Sequence, residues 1–387
     1  MDFKLTAEQE QLRDTAFRFA TAELSAAAKV CEEKNEALPH HLLKRLGEMG
    51  YLGLNLAEAY GGCGMSHLDA ALVLESVAKV SPAVAFPIFE SCFGPVRAIA
   101  NFGSEELKKK YIPRVCAGEI IVAVSMSEPD AGSALTDLKT RAQIVGDKIV
   151  LNGQKRWCSG AGHSDAYIVY CKMSDDPGAR GIGAVIVDKD TPGLSFGKQE
   201  QLMGFRGVPS ADMFFDNVTV PVGNIIVQAG GGFQKLMKTF DLERCGNATM
   251  SMAIAAGALD YTLQYVQERK QFGKPLIDFQ AVQMKIAEMA MKVDASRLLI
   301  HRAVQNAQSG MPSQIESSTA KCFANEITRE VCGAAIQLMG GYGYNKDYPI
   351  EQRFRDAWGW GIAGGAIDIQ KINIASALVN RRFDQRR

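Results

Sequence analysis

The sequence predicts an α+β protein in which a helical block, a β block and a second helical block follow one another. Three observations predict it. Apolar residues at helical spacing fill residues 1–118, short β-like runs crowd residues 119–228, and a helical pattern returns over residues 229–387. A chain of 387 residues exceeds what one core usually serves, so these three blocks read as three domains.

In the first block, Thr6 with Glu8 and Gln9 opens a helix, and Leu43, Leu46, Met49 and Leu52 continue at helical spacing. The run Gly61-Gly62-Cys63-Gly64 interrupts the pattern before a long apolar segment from Leu68 to Val80. The stretch from Gly103 to Cys116 carries Lys108, Lys109 and Lys110, which reads as a solvated helix face. In the second block, runs such as Ile120 to Val124, Lys148 to Leu151, Ala166 to Tyr170, Gly183 to Val187 and Met213 to Phe215 alternate with turn residues. Asn152-Gly153 and Pro192-Gly193 are examples, and the block reads as an antiparallel β-domain of sandwich or barrel type. After Gly230-Gly231-Gly232 the chain is helical again. Val282, Ile286, Met289 and Val293 form one amphipathic stripe.

Composition narrows the function. Lys plus Arg (43) equals Asp plus Glu (43), so no global field favours nucleic acid or an anionic membrane. The nine cysteines show no CxxC or Cys/His ligand spacing, which suits a reducing compartment and argues against structural zinc. No leader-like segment precedes the first helix, and no apolar run reads as membrane-spanning. The expected location is cytoplasmic.

Several segments could carry chemistry. Ser125-Met126-Ser127-Glu128-Pro129-Asp130-Ala131-Gly132-Ser133 leaves a β-run and enters a turn whose hydroxyls and N–H groups could hold a polar ligand. Trp157 and Ser159 are two apart in Asn152-Gly153-Gln154-Lys155-Arg156-Trp157-Cys158-Ser159, so on a strand they share a face and could touch one flat ligand. A core Trp beside a surface Ser is the plain alternative. Glu268-Arg269-Lys270-Gln271-Phe272-Gly273 and Gln337-Leu338-Met339-Gly340-Gly341 each end a helix in a basic or glycine-rich turn, which is also ordinary C-cap chemistry.

Taken together and in this order, these segments resemble the acyl-CoA dehydrogenase family over essentially the whole chain. The resemblance implies a helical N-terminal domain, a middle β-domain and a four-helix-bundle-like C-terminal domain, with FAD as cofactor and a homotetrameric assembly. It implies that Met126, Ser127, Trp157 and Ser159 contact the flavin and that Ser133 touches the CoA pyrophosphate region. It places Arg269, Gln271, Phe272, Gln337 and Gly341 on the adenosine diphosphate half of FAD, partly across a subunit boundary, with Asp368 near the adenine. Electron-transfer flavoprotein is the implied electron acceptor.

The chemistry so implied needs a carboxylate beside the substrate α-carbon. Most of the family carries it in a Tyr-Glu-Gly-Thr-like stretch after Arg-Asp-Ala. Here that stretch reads Ala363-Gly364-Gly365-Ala366, so Gly364 stands at the Glu position and offers only its N–H, as an oxyanion donor. A minority, including isovaleryl-CoA dehydrogenase-like members, carries the Glu on the helix that reads here as Leu242-Glu243-Arg244. Glu243 is therefore the expected α-proton base, against the plain reading of an exposed helical carboxylate. Asp241 is a weaker candidate, and Arg244 shapes the site or binds substrate. Glu90, with Ser91 and Arg97, lies in a segment that lines the acyl pocket in relatives. Trp358 and Trp360 could form an aromatic wall beside Ala363, or pack in the core. A reductase of the crotonobetainyl-CoA type, a redox-neutral lyase or desulfinase, and a non-enzymatic acyl-CoA scaffold are the alternatives to dehydrogenation.

Overall fold

The computed structural model describes residues 4–383 apart from residue 309. The N-terminal block consists of α1 (Ala7–Phe19), α2 (Ser25–Lys34), α3 (His40–Glu48), α4 (His67–Val80), α5 (Pro82–Cys92), α6 (Val96–Phe102) and α7 (Glu105–Cys116). Thr6 caps α1 as its sequence suggests. Its hydroxyl accepts from the Gln9 N–H at 3.2 Å while the Gln9 side chain accepts from the Thr6 N–H, a capping box. Helix α4 is apolar nearly all round and is buried from His67 to Ala78 apart from Asp69.

The segment Pro82–Phe102 corrects one expectation. It has the length and hydropathy of a membrane span, yet 89% of its most apolar window is buried inside the protein. The chain breaks it into α5 and α6 around Gly94 and Pro95, so it is core rather than span.

The middle block holds β1 (Val122–Ser125), β2 (Arg141–Val145), β3 (Lys148–Ser159), β4 (Ala166–Lys172), β5 (Ile182–Asp188), β6 (Leu194–Phe196), β7 (Ser210–Pro221) and β8 (Ile225–Val227). Their order is β6-β7-β3-β2-β4-β5-β8, with β1 against β4. A single rung, Arg141 to Lys172, joins β2 to β4, so two smaller sheets meet at one seam over a shared core that includes Leu151, Val169, Val185 and Met213. The expected antiparallel domain is accordingly mixed. Strand β1 runs parallel to β4, Val122 opposite Ala166, and the β2–β4 rung is also parallel. The β2–β3 hairpin lies between β1 and β4 in sequence, giving the long connection that parallel pairing requires.

The C-terminal block opens with α8 (Gly232–Glu268), 37 residues long and thus about 55 Å. A two-rung hairpin follows, β9 (Lys270–Gln271) and β10 (Lys274–Pro275). Then come α9 (Gln280–Ala307), α10 (Gln314–Met339), α11 (Gly341–Tyr344), α12 (Pro349–Trp360) and α13 (Ile367–Leu378). The helices of both ends share one apolar core, in which Leu72 and Leu74 of α4 join Met250 and Met252 of α8 and Met289 and Val293 of α9. Arg297 of α9 grips the buried Glu75 of α4 with two nitrogens, at 2.7 and 3.0 Å.

One buried ion pair fastens the β block to the loop after β1. Lys155, wholly inside, donates to Glu128 at 2.9 Å and to the Met126 carbonyl at 2.8 Å, and Glu128 also accepts from the Thr140 N–H. Removing one partner leaves an uncompensated charge inside. Lys155→Met is expected to cost about 3–5 kcal/mol, read by urea unfolding of the holoprotein. A loss below about 1 kcal/mol would show that the pair contributes little.

Candidate active site

Glu243 projects from the first third of α8 towards the turn between α12 and α13. It is partly buried, and its Oε2 is cut off from solvent without a hydrogen-bond partner. An exposed, solvated carboxylate is excluded. Gly364 lies directly against it. A Cβ on Gly364 would fall 2.5 Å from Glu243 Oε1 and 2.9 Å from Oε2. Gly364 also has φ +62°, a left-handed backbone that disfavours a side chain. The carboxylate of residue 243 thus fills the space that a side chain at 364 would take. The Gly364 N–H makes no hydrogen bond among the described residues.

The turn is braced from three elements. Lys321 of α10, fully buried, donates to the carbonyls of Ala363 and Gly364, the latter at 2.9 Å. Asn247 of α8, one turn beyond Glu243, reaches the carbonyls of Trp360 and Ala363 at 3.3 and 3.4 Å. Gln370 of α13 donates to Gly365 at 3.2 Å and accepts from Ser318 at 3.0 Å.

These contacts also set the charge. Burial raises the pKa of Glu243, and the positive charges of Lys321 and Arg244 oppose it. Burial lowers the pKa of Lys321, with Glu243 opposing. Arg244 is buried and paired with Asp241, which also accepts from Ser317 at 3.3 Å. Asp241 is thereby engaged, and Arg244 acts on Glu243 through charge. Glu90 of α5 is buried, and its pKa is pushed well up by burial and then by Glu243.

The expected flavin-contact residues converge where β1 and β3 lie side by side. The Ser127 carbonyl accepts from the Arg156 N–H at 2.9 Å, and Cys158 reaches the Val124 carbonyl at 3.3 Å. Register shifts between Lys155 and Cys158, and Trp157 sits there at φ +60° with its indole 52% exposed. A bulky residue in that conformation is strained. Arg156 stacks 4.1 Å over the indole and is anchored by Asp212 at 2.8 Å. Ser159 is partly buried two residues on, with Cys158 turned inward. Ser133 is exposed in the loop between β1 and β2.

A second group gathers at the far end of α8. Arg269 stacks 5.5 Å over Tyr342, beside Gly341 and the exposed Gln337, and the hairpin raises Gln271 and a Phe272 that is 94% exposed at φ +51°. Arg269 lies 26 residues beyond Glu243 on α8, about 39 Å along its axis, so one chain does not bring the two groups together. Asp368 is exposed in the first turn of α13. The tryptophan pair divides. Trp360 is buried against Phe205, Phe89 and Phe86, whereas Trp358 faces outward beneath Arg329. On α12 these residues are two apart and face different sides, so they do not form one wall.

Lys321 went unnoticed in the sequence. Its signal is a lysine inside the small-residue run Ser317-Ser318-Thr319-Ala320-Lys321-Cys322, where a helix buries its face.

Comparison with known proteins covers the whole arrangement. Family descriptions reading "Acyl-CoA dehydrogenase" match the chain for their N-terminal domain over residues 6–119, their middle domain over 123–218 and their C-terminal domain over 230–379. An acyl-CoA dehydrogenase of Bacillus subtilis is 35% identical, covering 97% of this chain and 99% of its own. The butyryl-CoA dehydrogenase structure from Megasphaera elsdenii superposes with TM-score 0.94 at 32% identity, covering 98% of this chain and all of its own. An FAD complex of PigA superposes with TM-score 0.92 at 28% identity, covering 98% and 99%.

Two substitutions test the geometry. Gly364→Ala places a methyl against the Glu243 carboxylate in a left-handed backbone, and should cost about 1 kcal/mol or more of stability and displace the carboxylate. A thermal melt unchanged within error would refute the contact. Lys321→Met removes a positive charge, so the Glu243 pKa rises further. A step that needs the carboxylate ionised would then lose rate at a higher pH than in the parent. The acid limb of the pH–rate profile checks this, and an unmoved limb would remove Lys321 from the site's electrostatics.

Proposed function

The chain belongs to the acyl-CoA dehydrogenase family, and from that premise we propose that Glu243 is the base that removes the substrate α-proton. The activity is FAD-dependent dehydrogenation of an acyl-CoA. FAD, when bound, supplies the acceptor for the hydride that leaves the β-carbon. The observation that carries the assignment is the shared space of Glu243 and Gly364: the carboxylate occupies the place that a side chain at 364 would fill.

The residues present suit the cofactor. Two aromatics on strained left-handed backbone, Trp157 and Phe272, face outward with large exposed area, as expected of groups kept for a ligand. Met126, Ser127, Trp157 and Ser159 would hold the flavin end. Arg269, Gln271, Phe272, Gln337 and Gly341 would hold the adenosine end, with Asp368 near the adenine and Ser133 on the CoA side. Because Arg269 lies about 39 Å along α8 from Glu243, a second copy of the chain would complete the site. The exposed Phe272, Met291 and Tyr344 favour such an assembly, which we infer to be the homotetramer. Electron-transfer flavoprotein is the proposed acceptor of the electrons. Domain boundaries are placed near residues 118 and 228.

An α-proton next to a thioester is a weak acid, so two things must happen together. Glu243 must be basic enough, which burial provides. The developing enolate oxygen must be stabilised, which the free Gly364 N–H provides. Arg244 and Lys321 keep the carboxylate ionised until it accepts the proton, and the bonds from Lys321 and Asn247 fix the oxyanion donor relative to the base.

Glu243→Gln holoenzyme is expected to retain FAD, bind acyl-CoA and lose flavin reduction by about 10²–10⁴-fold. Anaerobic bleaching measured by stopped flow checks this. Bleaching at the parent rate would end the proton-abstraction role.

A further inference from the structure

Glu243 is not alone in this region. Glu90 of α5 is only 6% exposed, and its Oε2 has neither solvent nor a hydrogen-bond partner. A tight helix crossing sets it there. A Cβ on Gly246, one turn beyond Glu243, would lie 2.6 Å from Phe93 and 3.0 Å from Phe89, which flank Glu90 on α5. Phe86, one turn before Glu90, and Phe89 both pack on Trp360, whose Nε1 is also buried without a partner. The Cys158 thiol of β3, between Trp157 and Ser159, is raised in pKa first by burial and also by Glu90. Glu90 is thus within electrostatic reach of Glu243 on α8 and of Cys158 on the strand that carries Trp157. It also lines a small cavity with Leu52, Pro87 and Ile121.

An unpaired buried carboxyl group is costly, so it needs a hydrogen-bond partner, which a bound ligand can supply in place of water. We propose that Glu90 recognises an uncharged oxygen atom on the acyl chain, beyond the β-carbon, making oxygenated acyl-CoA the preferred substrate class. The inference rests on the reading of Glu243 as the base beside the acyl group. A carboxyl group that is buried and also feels a second carboxylate is held towards its protonated form. Glu243 has Lys321 and Arg244 to hold its charge, while the influences on Glu90 are burial and Glu243 alone. Glu90 keeps its proton and donates it, so its partner must accept. An ether, hydroxyl or carbonyl oxygen does so. A terminal carboxylate would meet the Glu243 charge, and an ammonium would need Glu90 ionised.

The test is an isosteric series on the FAD holoenzyme: hexanoyl-CoA, 4-oxahexanoyl-CoA, 5-oxahexanoyl-CoA and the ammonium 5-azahexanoyl-CoA. Apparent dissociation constants are read in the parent, which keeps the Glu243 charge that acts on Glu90, from the dependence of the anaerobic bleaching rate on acyl-CoA concentration. At least one oxa-analogue should bind about tenfold tighter than hexanoyl-CoA. Glu90→Gln, still a neutral donor, should keep that ratio within about threefold, and Glu90→Leu should abolish it. A ratio near one in the parent, or one that survives Glu90→Leu, overturns the proposal. Tightest binding of the ammonium, lost in Glu90→Gln, overturns it in favour of an ionised Glu90. Failure of the base reading shows separately, as bleaching that persists in Glu243→Gln.

Discussion

The site depends on one steric relation: the carboxylate of residue 243 and a side chain at residue 364 compete for the same space. With a Cβ at 364 only 2.5 Å from Oε1, the carboxylate and the glycine are a single choice made at two places 121 residues apart. The same glycine allows the left-handed backbone that leaves its N–H free beside the carboxylate. A turn so rich in glycine has little rigidity of its own. Its shape is imposed from outside, by Lys321, Asn247 and Gln370 on its carbonyls.

Those braces carry charge as well as geometry. Burying a carboxylate makes it a stronger base, but enough burial would protonate it permanently. Lys321 and Arg244 oppose that outcome, and Lys321 does so while holding the Ala363 and Gly364 carbonyls. The influences on Glu90 include no such cation, so burial raises both carboxyl groups, Glu243 raises Glu90 further, and cations oppose the rise at Glu243 alone. The pattern of divergent neighbours is what assigns acid and base roles elsewhere.

Much of this was legible in the sequence where a local rule decides the outcome. The Thr6–Gln9 capping box, the helix at residues 67–80 and the change of texture near residue 120 each follow from neighbouring residues. The pairing of Glu243 with Gly364 was legible only by subtraction, from a glycine where the resemblance leads one to expect a carboxylate. What escaped depends on long-range packing. The parallel placement of β1 is set by the β2–β3 hairpin inserted between it and β4. Lys321 looks like any helical lysine until α10 is buried against α8. The outward turn of Trp358 and the inward turn of Trp360 depend on which face of α12 meets Phe205. The apolar Pro82–Phe102 segment is ambiguous by composition, and only its burial decides between core and span.

The tight crossing of α5 over Gly246 ties these threads together. It brings Phe89 and Phe93 onto α8 and, with them, the carboxyl group between. A small residue at 246 is what lets α5 approach so closely, and the approach helps to bury Glu90. Burial pushes the pKa of Glu243 and of Glu90 upward, and the charge of Glu243 pushes Glu90 further. Helix packing, rather than any single residue, therefore sets the electrostatics of both carboxyl groups.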